Sequence, residues 1–175
     1  MTITRQDIKD LKNKISLYYD NQKRIKIYKE KLDILNQKSK EIETEITGLN
    51  LQENLRTDIY GVNYDRIIVN GGKKESFVER EIERIYKKFE EELEELQNDI
   101  VVTKETIRRL EKANLDMMCH ISQLNEFQQK ILELRYKDKK RIYEVAGLLN
   151  MSETSINHNI KLICESILMR DLTIT

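Results

Sequence analysis

The residue types best suited to recognising another molecule lie close together in MSETSINHNIK, residues 151–161. Ser152 is a natural helix N-cap, because its hydroxyl can accept from a free backbone N–H of the first turn. On the helix it opens, Glu153, Thr154, Ser155, Asn157 and His158 are polar, with Lys161 one turn further. An Asn side chain can bond both donor and acceptor on an adenine edge, and a Thr methyl can pack on the methyl of thymine. Upstream, Lys139, Lys140 and Arg141 form a cationic entry to the preceding helix, suited to holding phosphates in register. This is chemistry of recognition. The helix itself carries no arginine among those polar positions, so bidentate arginine–guanine contacts are excluded there.

Other constellations point away from catalysis. No nucleophile, base and orienting group cluster in the sequence, and the glycines of NGG, residues 70–72, lack the Lys-Ser/Thr and helix of a phosphate loop. The glutamates between residues 79 and 95 read as the solvated face of a long helix. Cys119 and His120 are adjacent, and neighbours on a helix do not face one site. Neither an enzyme nor a metal or other cofactor is expected.

Helices must position these residues. The 175-residue chain has no proline and only 5 glycines, with 35% charged residues, a composition that favours long helices. An Asp three residues after Thr4 resembles a capping box. From there apolar residues recur at steps of three and four from Ile8 to Leu49, with Gln22 and Ser39 at seam positions. The pattern fails over residues 50–75, where Gly61, Asn70, Gly71 and Gly72 mark turns. Within that loop the tyrosines of Tyr60–Gly61–Val62–Asn63–Tyr64 are a candidate protein-binding patch. Ser76 and Glu79 then form a second capping box, and a regular stripe runs from Val78 to Leu124 through Thr103 and Asn114.

The expected fold is therefore all-α, with two long coiled-coil-like helices, about 4–49 and 76–122, joined by a long loop. A small C-terminal helix-turn-helix bundle follows, giving domains 1–124 and 125–175. The two stripes can pair within one chain or between chains. Glu41, Glu43 and Glu45 would face the acidic run at 90–96 in an intramolecular pair, and a homo-oligomer through the long helices is a further expectation.

Formal net charge is zero, from 31 basic and 31 acidic residues. A broad basic face is therefore not expected, and non-specific affinity for nucleic acid should be modest. No run of about 18–20 apolar residues is present to cross a membrane. Two cysteines without CxxC spacing suit reduced thiols, so a cytoplasmic location is expected.

Residues 123–169 combine ILELRY, a polar loop, EVAGLLNMS and a second helix. This stretch resembles the C-terminal region of bacterial sigma factors that reads the −35 promoter element. The wider layout resembles phage-encoded late-gene transcription regulators of the RinA and ArpU type. The resemblance implies a sigma-like DNA-binding regulator at phage or prophage late promoters, with double-stranded promoter DNA and RNA polymerase as partners. It places the recognition role on Glu153, Thr154, Ser155, Asn157, His158 and Lys161. Two alternatives stay open, a coiled-coil assembly protein and a phage DNA-packaging subunit with the same helix-turn-helix.

Overall fold

The structure, a computed structural model, describes residues 3–59 and 77–174, with side chains for 3–48 and 80–170. All regular structure among these residues is helical: α1 (Arg5–Ile59), α2 (Phe77–Ser122), α3 (Glu126–Leu132), α4 (Ile142–Leu149) and α5 (Glu153–Ile174). One π-helical turn, Glu133–Lys137, continues α3. The Tyr60–Tyr64 patch, the glycine turns at 61 and 70–72 and the Ser76 cap lie outside the described residues.

At the start of α1 the expected box forms. The Thr4 N–H donates to Asp7 Oδ2 at 2.8 Å and the Asp7 N–H donates to Thr4 Oγ1 at 3.2 Å. The Thr4 N–H and the Thr4 hydroxyl, which donates to the same Asp7 Oδ2 at 2.7 Å, stabilise the charged form and hold the Asp7 carboxyl below its ordinary value. The helix runs ten residues past the expected end at 49, since NLQENLRTDI contains neither glycine nor proline to stop it.

Packing divides the chain into two units, Met1–Tyr28 with Thr106–Thr175, and Lys29–Glu105. The division differs from the expected boundary at 124/125. It falls within both long helices, because the beginning of α1 belongs to the C-terminal core. Leu11, Ile15, Tyr18 and Tyr19 are buried in one cluster with Met117, Ile121, Ile131, Leu132, Val145, Ile156 and Ile163. Six of these side chains, Ile15, Ile131, Leu132, Val145, Ile156 and Ile163, are wholly inaccessible.

In this first unit a polar pair sets the register of α1 against α2. Asn21 Nδ2 donates to Asn114 Oδ1 at 3.1 Å, and Asn114 Nδ2 donates to the Tyr18 carbonyl at 3.2 Å. Both amides are buried. The expected seam position, Gln22, is instead exposed, and its Nε2 donates to Tyr18 Oη at 2.6 Å. The seam moves by one residue because α1 packs here on two sides, toward α2 and toward the short helices, which brings Tyr19 inward as well.

In the second unit α1 and α2 also pair within the chain. Leu35, Ser39 and Ile42 are buried with Ile100 and Thr103, and Tyr86 Oη donates to the Ile46 carbonyl at 3.3 Å. Glu41, Glu43 and Glu45 and the glutamates at 90–95 are all exposed, where water screens their repulsion. The intramolecular pairing therefore tolerates the like charges.

Two stability outcomes follow. Asn114→Ala strands the Asn21 amide and should cost about 1–3 kcal/mol in denaturant unfolding, whereas Asn21→Leu with Asn114→Leu should recover much of that loss. Ile15→Ala should cost about 2–5 kcal/mol and loosen α3–α5 together with α1, read as coincident loss of amide-exchange protection in both.

Candidate nucleic-acid interface

The turn between α4 and α5 determines which side chains face outward. Asn150 adopts the left-handed conformation at φ 51°, ψ 46°. The Met151 N–H donates to the Ala146 carbonyl at 2.9 Å and the Asn150 N–H to Gly147 at 3.4 Å. This pair of bonds is a Schellman ending, which closes a helix and turns the chain sharply. Asn tolerates the left-handed region better than other non-glycine residues. Ala146 and Val145 are buried, so α4 can approach α5 closely. Ser152 then caps α5, its Oγ accepting from the Ser155 N–H at 3.2 Å.

On α5 the buried residues are Ile156, Ile160, Ile163, Cys164 and Ile167. The complementary face exposes Glu153, Thr154, Asn157, His158 and Lys161. Steps of three and four between these residues keep them on one stripe. Ser155 sits at the edge, half-buried, with its carbonyl accepting from Asn159 Nδ2 at 2.9 Å. Five of the six expected residues of this helix are thus solvent-facing together.

The cationic loop is less free than its sequence suggests. Lys139 has φ 55° and its Nζ lies 2.7 Å from Asp20 Oδ1 on α1. Lys140 is half-buried, and its carbonyl accepts from Arg135 Nη1 at 2.7 Å. Arg141 is exposed, but its backbone N–H donates to the Glu144 carboxylate to cap α4. Lys161 pairs with Glu165 at 3.5 Å. Such exposed pairs contribute little stability and exchange readily, yet each lowers the net positive charge a phosphate would meet.

The chain matches no family model, no curated protein and no solved structure.

A groove of about 920 Å³ lies in the first unit, lined by Asp7, Asp10, Leu17, Asp116, His120 and Arg170 among others. Its three carboxylates make it a poor seat for phosphate. Among the described residues no group of three or more His, Cys, Asp or Glu side chains could hold a metal ion. No described helix is long and apolar enough to cross a membrane. Cys164 is buried, and desolvation raises its thiol above the ordinary range, which keeps it unreactive. Cys119 is exposed.

The sequence reading missed the role of α1 in holding this site. Tyr19, buried beside Tyr18 in an edge-on ring contact with centroids 5.1 Å apart, was the available signal. Two adjacent apolar aromatics make a stripe wider than a two-helix seam requires.

Burial also pushes the phenols of this core up, Tyr136 to about 12, and Tyr18 and Tyr19 in the same direction. A raised folded pKa means that the unfolded chain loses its phenolic protons first as pH rises. Stability should be insensitive to these groups below about pH 10 and fall from there toward 12, accompanied by tyrosinate absorbance. Tyr136→Phe should flatten that decline in urea midpoints measured across the alkaline range.

Proposed function

We propose that this chain is a sigma-like DNA-binding transcription regulator. In this reading it acts at phage or prophage late promoters, where binding energy raises the local occupancy of RNA polymerase. The observation that carries the reading is the α4–turn–α5 unit. Its Schellman turn at Asn150 leaves Thr154, Asn157, His158 and Lys161 outward on the first turns of a capped helix. A helix so presented fits the major groove, where its leading residues reach base edges.

Base-edge contacts would come from Asn157 to adenine and from Thr154 to a thymine methyl, with His158 and Lys161 reaching base or backbone. Arg141 is the freest of the three loop cations to position phosphate. The RNA polymerase contact and the cytoplasmic location belong to the same proposal.

A second reading is a coiled-coil assembly protein, with oligomerisation through the long helices. Exposed apolar side chains favour it: Leu17, Leu115 and Met118 in the first unit, and Ile34, Val101 and Val102 in the second. A coiled-coil partner would bury side chains of this kind. A packaging subunit that marks viral DNA would use the same α5 contacts.

Sequence selection from a random duplex pool should enrich one motif. Asn157→Ala should reduce preference for it by about 1–3 kcal/mol at a single base-pair position, read from competition binding. Failure to enrich any motif, together with no salt dependence of association, would remove the DNA reading and leave the assembly protein.

A further inference from the structure

The register set by Asn21 and Asn114 brings together cations that the sequence places 80 residues or more apart. Lys23, Arg24 and Lys26 follow Asn21 on α1, and Arg108, Arg109 and Lys112 precede Asn114 on α2. α1 leaves the first unit at Tyr28 as α2 enters it at Thr106, so the two helices run antiparallel there. At about 1.5 Å per residue, the six Cα positions fall roughly 3–9 Å along the axis from the Asn pair. Neighbouring helix axes stand about 8–10 Å apart, so the charges share one short level of the stem.

Two of them also share a side. Leu17 and Asp116 line the same groove, and Arg24 and Arg109 stand one heptad further along that side of their helices. A heptad is close to two turns and returns a side chain to nearly the same face. All six cations are exposed, and none makes an ion pair or hydrogen bond among the described residues. Over residues 21–28 and 106–115 the only carboxylate is Glu111. In contrast, Lys139 and Lys161 of the α5 region each already hold a carboxylate.

We propose that this collar of six cations is a second phosphate-binding surface, which holds the backbone of double-stranded DNA. It takes its partner from the reading of α5 and its residues from elsewhere. Guanidinium groups bind phosphate through two parallel hydrogen bonds, and lysines add point charge. A protein partner is less suited to the collar itself, because three of its six residues are lysines, which protein interfaces deplete, and neither segment exposes an aromatic anchor, although Ile27 and Leu115 beside it are exposed. The chain's zero net charge conceals the collar, since the compensating glutamates lie in other stretches.

The test uses the full chain carrying Arg24→Gln, Arg108→Gln, Arg109→Gln and Lys112→Gln, with a random-sequence duplex and the selected motif as probes. The variant should unfold at the wild-type temperature. Its affinity for both probes should fall at least tenfold at low salt. The slope of log affinity against log salt should become shallower by about 2–3, because fewer phosphates are neutralised, with the preference between probes unchanged. Equal affinity and slope for variant and wild type would overturn the collar and leave the α5 reading standing. A variant that loses self-association or acidic-protein binding but keeps wild-type DNA binding would overturn it too. If the collar variant loses the salt slope while Asn157→Ala with His158→Ala changes nothing, the collar stands and the α5 reading falls.

Discussion

A buried amide without a partner costs about 1–3 kcal/mol, more than the bond it makes contributes. Asn21 and Asn114 are both buried, and each satisfies the other only when Asn114 also reaches the Tyr18 carbonyl. An apolar seam would tolerate sliding by a heptad with modest loss, because one leucine layer resembles the next. These two amides do not tolerate it. They fix which turn of α1 lies beside which turn of α2, and so they fix the depth to which Leu11, Ile15 and Tyr19 enter the C-terminal core. The polar pair thus specifies register, the best-attested use of buried polar groups.

From that register the rigidity of the α5 face follows. The bundle of α3, α4 and α5 by itself has little apolar surface to bury, and domains of such size are marginal alone. Here the core is completed by α1, whose Ile15 is as inaccessible as Ile156 and Ile163 of α5. The outward stripe of α5 is therefore held by the same packed cluster that holds the long helices. Lys139 adds a latch at the rim, its left-handed backbone directing the ammonium toward Ser16 and Asp20 of α1. Within the first unit, a molecule bound on α5 acts against a scaffold that includes the stem.

Most of the fold was legible in the sequence, because it is written in periodicity. The absence of proline and the three-four spacing of Ile107, Leu110, Asn114, Met117 and Ile121 dictate a long helix whose buried face is unambiguous. Ser152 as a cap and the break after Leu149 are equally local signals. The position of the α1 terminus was not legible, because it depends on contacts more than 100 residues apart that no local pattern encodes. Gln22 illustrates the failure: a strict seam places it inward, but packing on two sides rotates Asn21 in and leaves Gln22 bonded to Tyr18 Oη. The polar side of α5 follows from its local spacing, with Ser155 half-buried at its edge, whereas the pairing of Lys139 with Asp20 does not, since it joins two distant segments.

The same distinction bears on how a recognition helix without arginine can work. In the proposed reading, selectivity and affinity come from different residues. There Asn157 and Thr154 would discriminate between bases but neutralise no phosphate, and Glu153 at the head of α5 would oppose one. Affinity for duplex DNA is dominated by counterion release, which requires cations at phosphate distance whatever element carries them. Lys139 and Lys161 begin that task already engaged with carboxylates. The six cations beyond the Asn pair do not, and their position on a stem locked to the α5 core ties their placement to that of the reading face. A register held by two amides would thereby govern both parts of binding: it orients the side chains that choose a sequence and assembles the charges that hold the backbone.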